Sequence, residues 1–156
     1  MPSTTNLQMP YPALSSAPNV PQDMQALAQQ IESKFAGAWT PLTIASGYQN
    51  WTGTSGPAPQ YRFVGTKVQV LFWIQKTSGT FALGTDVIPF AAGALPAAAR
   101  PATRNVLRWG HSTWTNSVAP MVYITVKPDG SITVNPAQTG SPVAWVMGDF
   151  EFEPGL

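Results

Sequence analysis

The sequence predicts an all-β fold: a jelly-roll-like β-sandwich of about seven or eight strands, preceded by an extended arm and one short α-helix. Three observations predict it. Two hairpins can be written out residue by residue. Apolar residues alternate at period two through most of the chain after Trp39. Sixteen prolines and 13 glycines punctuate 156 residues, as short strands joined by turns require. The expected organisation is an anchoring arm over 1–20, a helix over 21–36 and a β-sandwich over 39–156.

The segment PQYRFVGTKVQVLFWIQK, residues 59–76, anchors the reading. A two-residue turn at Gly65-Thr66 opposes Val64 with Lys67, Phe63 with Val68, Arg62 with Gln69 and Tyr61 with Val70. Glycine at the first turn position suits a type II′ hairpin. Side chains alternate across a strand, so Tyr61, Phe63, Val68, Val70, Phe72 and Ile74 form a core face. The opposite face carries Arg62, Lys67 and Gln69, then Leu71 and Trp73. A monomer gains nothing by showing those two to water, so they are expected in a subunit interface.

Taken in order, the arm comes first. Pro2, Pro10, Pro12, Pro18 and Pro21 exclude helix and central strand from its length. Leu7, Met9, Tyr11, Pro12 and Leu14 make it more apolar than a solvated linker needs, and a docking arm is expected. From Asn19 to Phe35 the pattern turns helical. Asn19 caps the helix, Pro21 fits the first turn and Asp23 suits the positive end of the dipole. Met24, Leu27, Ala28, Ile31 and Phe35 lie on one stripe, and Gly37 ends the element. Val20, Met24, Leu27 and Ile31 also follow the 4-3-4 spacing of a short coiled coil. The stripe therefore packs on its own domain or on copies of itself.

The remainder reads as strand and turn. Leu42 and Ile44 alternate in a first strand, and Tyr48 to Pro59 reads as a loop. After the central hairpin, Thr80 to Ile88 is expected as a strand, followed by an Ala/Pro-rich crossing over 89–101. A strand over 105–110 precedes the loop HSTWTNS. The second hairpin runs from Met121 to Val134. A three-residue loop, Pro128-Asp129-Gly130, opposes Val126 with Ile132 and Ile124 with Val134. That puts Val122, Ile124, Val126, Ile132 and Val134 inside and Tyr123, Thr125 and Thr133 outside. The last strand, Val143 to Glu153, alternates Phe150 and Phe152 with Asp149, Glu151 and Glu153.

Composition narrows the function classes. Charged residues make up 10% of the chain and the net charge is +1, which gives no electrostatic case for nucleic acid or an anionic membrane. No stretch reaches the roughly 20 apolar residues of a membrane span, and the start lacks the pattern of a signal peptide. One histidine, His111, and no cysteine exclude an ordinary zinc site, and HSTW is not a nucleophile elbow. Asp149, Glu151 and Glu153 share a face roughly 7 Å apart, as edge-protecting charges do. Arg100, Arg104 and Arg108 read as donors to carbonyls or to an acidic neighbouring subunit. No enzyme, cofactor or metal is expected. Tyr48, Trp51, Trp109 and Trp114 lie in or beside loops, with Gln49, Asn50 and Asn116 near them. Such rings either stack on sugars or complete the core and the assembly axis.

Read together, LQMPYP, APNVPQDMQALAQQIE, WTPLTIASGYQNW, PQYRFVGTKVQV, LPAAARPATRNV, VKPDGSITV and WVMGDFEF give a chain that resembles the small fibre-tip or decoration proteins of tailed bacteriophages. The resemblance spans nearly the whole chain. It implies a non-enzymatic homotrimer on the virion surface, assembled in the host cytoplasm. The arm and helix would attach to a major capsid or tail protein, and the sandwich would project outward. The absence of a long shaft favours a short knob close to its attachment surface, as in a capsid-decoration or head-fibre protein. The alternative is a minor tail fibre-type adhesin for host polysaccharide.

Overall fold

The computed structural model describes residues 20–35, 37–51, 56–103, 105–112, 121–136 and 142–155. The arm residues Leu7, Met9, Tyr11, Pro12 and Leu14, together with Arg104 and Trp114, lie outside them. The described elements are α1 (Val20–Phe35), β1 (Thr40–Pro41), β2 (Tyr48–Asn50), β3 (Gln60–Val64), β4 (Lys67–Lys76), β5 (Val106–Ser112), β6 (Met121–Val126), β7 (Ile132–Pro136) and β8 (Trp145–Phe152). Their sheet order is β1-β3-β4-β8-β5-β6-β7, with β2 also paired to β4, and the described pairings are antiparallel.

This sheet folds over into a β-sandwich-like body because its outer edges are brought together. Val87 exchanges hydrogen bonds with Val134 of β7, at 2.9 and 3.0 Å. A few residues on, Ala45 donates to Pro89 and Ala91 to Thr43, both at 2.9 Å. The segment 87–91 thus links β7 to the chain that follows β1. Inside lie Val68, Val70, Phe72 and Ile74 of β4, Val122, Ile124 and Val126 of β6, and Phe81, Phe90 and Leu95 from the crossing segments. Phe72 packs edge-on against Phe90 at 5.2 Å and Phe150 at 6.4 Å.

Both hairpins have the register that the sequence predicts. Gly65 sits at φ +61°, as a primed turn requires. In the second hairpin Lys127 donates to Ser131 and Gly130 to Lys127, both at 2.9 Å. The backbones of β5 and β8 approach closely where they pair. Their pairing in register covers only His111 with Met147 and Ser112 with Val146. A Cβ on Gly110 would lie 2.3 Å from the Met147 carbonyl oxygen, and one on Gly148 would lie 2.6 Å from the Phe72 ring. Only glycine allows that approach.

Several elements differ from expectation. Residues 48–50, read as loop, form β2 because ten-residue β4 extends past β3 and its Ile74–Lys76 edge accepts a second partner. Residues 80–88 make isolated bridges at Phe81 and Val87 in place of a strand, interrupted by the turn at Leu83-Gly84. The first strand shrinks to Thr40–Pro41, since Pro41 has no N–H to donate, with Ile44 bridging Phe90. Phe63, placed in the core by alternation, is 37% exposed because it sits beside the turn, beyond the reach of the opposite layer. Thr133, placed outside, is 3% exposed, because β7 is covered on both faces.

Three residues of the helix stripe face solvent: Met24 is 65% exposed, Leu27 37% and Ile31 39%. Among the described residues, none buries those three side chains. Near its end, Gly37 donates to the Phe63 carbonyl at 3.1 Å, and the Arg62 guanidinium stacks over Trp39 at 4.4 Å.

Candidate functional site

The outer surface of the sheet has two adjoining regions, and they differ in chemistry. On the β4–β8 face, Gln69 and Leu71 of β4 stand opposite Glu151 and Asp149 of β8. Polar groups there pair within the chain. Lys67 meets Glu151 at 3.4 Å with both side chains about half exposed, a geometry worth little in water. Gln69 donates to Asp149 at 3.3 Å. Leu71 and Trp73 are half-buried, and this face is not bare as the strand pattern alone suggests. Trp73 lies 6.4 Å from Trp51 and 5.1 Å from Trp145, and the backbone at Gly56 rests on its indole, leaving no room for a Cβ. Trp51 is held there because its amide donates to the Trp73 carbonyl at 2.9 Å, extending the β2 ladder. The Trp73 Nε1 is buried without a partner among the described residues.

The β5–β6 face is different. Register places Leu107 opposite Thr125, Trp109 opposite Tyr123 and His111 opposite Met121. Alternation turns these side chains outward, away from Val122 and Ile124. Leu107 is 70% exposed, Trp109 56%, Met121 48% and Tyr123 47%. The Trp109 and Tyr123 rings sit 4.6 Å apart at 47°, a tilted pair of the kind that adds about 0.5–1.5 kcal/mol beyond area burial.

Between the faces, β5 and β8 splay apart beyond their two paired residues. The wedge is a cleft of about 530 Å³ lined by Lys67, residues 105–108 and residues 151–153. Arg108 spans it, donating from Nε to the Glu151 carbonyl at 2.8 Å. Arg100 likewise donates to the Leu95 carbonyl at 2.7 Å. Two of the three spaced arginines are thus backbone staples.

The three described aromatic candidates, Tyr48, Trp51 and Trp109, do not assemble into one site. Tyr48 stacks on Phe81 at 6.0 Å against the core, and Trp51 belongs to the tryptophan cluster. Trp109 stands on the β5–β6 face with Tyr123, Leu107 and Met121, none of which the sequence singled out as functional. The available signal was the register of β5 against β6, which strand pattern alone does not supply. Trp145 was missed as well, although extending the alternation of Asp149 and Glu151 backwards puts it on their face. Among the described residues no three His, Asp or Glu side chains converge. One carboxyl is perturbed: Asp129 accepts from the Ser131 hydroxyl at 2.6 Å and amide at 2.8 Å, which hold it below the usual range. That is turn chemistry.

No family model matches the chain, and no curated protein does. Among solved structures it is similar to the head domain of phage bIL170, described among the receptor-binding domains of lactococcal phages. The TM-score is 0.52 at 19% identity, covering 75% of this chain and 97% of that chain. The likeness establishes a shared fold.

Proposed function

We propose that the chain is a non-enzymatic structural protein of a tailed bacteriophage virion. It is a homotrimer anchored to the particle through its N-terminal arm, with the sandwich directed outward. The observation that carries this reading is the fold shared with the phage bIL170 head domain, nearly all of which is covered. The order of segments read from the sequence points the same way. Self-association draws support from the solvent-facing stripe of Met24, Leu27 and Ile31, whose spacing suits a helix cluster.

Two placements on the virion follow. A capsid-decoration or head-fibre position accords with the order of segments read from the sequence, with the major capsid protein as partner. A tail adhesin for host surface polysaccharide is favoured by the neighbour, described as a receptor-binding domain. Neither requires nucleic acid, a membrane or a cofactor.

Adding purified protein back to particles stripped of it, with bound copies located by gold label, tests both. Rebinding by the full chain is expected, and its loss in Leu7→Asp/Tyr11→Asp would support the arm as anchor. Label over the capsid supports decoration, and label at the tail tip supports the adhesin. Failure of the native chain to rebind would overturn the virion reading. Equal rebinding by the arm variant would move the anchor into the sandwich.

A further inference from the structure

We propose that the outer face of β5 and β6 is a contact surface for a second copy of this chain, built on Leu107, Trp109, Met121 and Tyr123. The inference rests on the homotrimer reading and names its surface, which differs from the Leu71 and Trp73 face suggested by strand pattern. Trp73 already has intrachain cover from Trp51, Trp145 and Gly56. The β5–β6 side chains remain open to solvent.

Size is the first argument. Aromatic side chains carry about 150–250 Å² each, so a half-exposed Trp109 and Tyr123 offer on the order of 200 Å². Leu107 and Met121 bring the patch to on the order of 400 Å², within the range of the largest apolar patches on monomers, which are often functional. It is about half of the roughly 800 Å² that each partner contributes to a standard interface. The helix stripe supplies further apolar area on the same chain.

Charge is the second. The titratable groups of the patch are His111 and Tyr123, and neither β5 nor β6 turns a Lys, Arg, Asp or Glu outward on it. A face with net charge repels its own copy, whereas this one can meet itself. The adjoining outer surface of β4 and β8, with Lys67, Asp149 and Glu151, suits water.

Continuity with the helix is the third. Gly37, just past α1, bonds to Phe63, which is paired with Val68, itself paired with Phe152. Phe152 and Leu107 line the same cleft. The helix therefore joins the sandwich at the end where Leu107 stands. A symmetric cluster of helices gathers that end of each sandwich together and brings the β5–β6 faces within reach of neighbours.

The test is light scattering and sedimentation of the full chain over a range of concentrations, alongside Leu107→Arg/Tyr123→Arg and Leu27→Asp. The native chain should show three times its 16.7 kDa mass. The double variant should retain its far-UV circular dichroism and shift the association midpoint at least tenfold. Leu107→Arg alone, at the most exposed position, keeps the test available if the double variant misfolds. A native chain that stays monomeric at all concentrations overturns the trimer and this surface together. A folded variant that trimerises like the native chain, while Leu27→Asp does not, overturns the surface and leaves the trimer standing. Loss of glycan binding in Trp109→Ala with unchanged mass would also overturn it, making the rings a ligand platform.

Discussion

Gly110→Ala isolates the close approach of β5 and β8. The added Cβ falls 2.3 Å from the Met147 carbonyl oxygen and 2.8 Å from Ile124 Cδ1. A rotamer change can relieve the second clash. The first is with backbone, and Met147 is held by pairing to Trp73 on one side and His111 on the other. Restoring ordinary contact requires β5 and β8 to separate by nearly 1 Å at the place where their register pairing is confined to two residues. Overpacking costs roughly 1–3 kcal/mol, and a rigid backbone neighbour argues for the upper end, about 3 kcal/mol. For a chain of this size each kcal/mol lowers Tm by about 2–4 °C, giving a fall of about 6–12 °C. Differential scanning calorimetry at fixed protein concentration reads it, since association shifts Tm by mass action. Gly110→Ala melting within 2 °C of the native chain would refute the close approach as a determinant of the fold.

Other expectations concern single side chains. Ile124→Ala, fully buried between the layers, should cost roughly 2–5 kcal/mol, whereas Thr125→Ala on the adjacent outward position should cost about 0.5 kcal/mol or less; urea unfolding compares them. Trp73→Ala removes the centre of the Trp51–Trp145 cluster and should destabilise by roughly 2–3 kcal/mol, with a Tm shift independent of protein concentration. A shift that vanishes on dilution would return Trp73 to a subunit interface. Asp129 has its carboxyl pKa lowered by Ser131, so its contribution is present above the ordinary carboxylate value and is lost as pH falls through the lower folded value. Asp129→Asn should therefore flatten stability against pH below about 4, measured as the urea midpoint.

The hairpins were legible because each carries its own register. Gly65 and the Pro128-Asp129-Gly130 loop fix which residues face each other, and alternation then divides β3, β4, β6 and β8 into faces. Residues 80–91 lack such a local device. Phe81, Val87 and Phe90 are held by single bridges to partners 62, 47 and 46 positions away, at Val143, Val134 and Ile44. No local pattern specifies contacts of that kind. Thr133 failed for a related reason: alternation gives the side of a strand, and whether a second layer covers that side is a tertiary fact.

The same limit explains why the candidate surface emerged only from the folded chain. Sequence reading ranked aromatics by proximity to loops, and loop proximity says nothing about which rings meet. Trp51 looked available because residues 48–59 read as a loop, yet β2 carries it onto Trp73. Trp109 was grouped with the loop aromatics, whereas its partner Tyr123 lies 14 positions away, across the connection between β5 and β6. Once the register is fixed, burial rather than residue type separates the two tryptophans. One belongs to a cluster packed within the chain, and the other stands 56% exposed beside Tyr123 on the outer surface of β5 and β6.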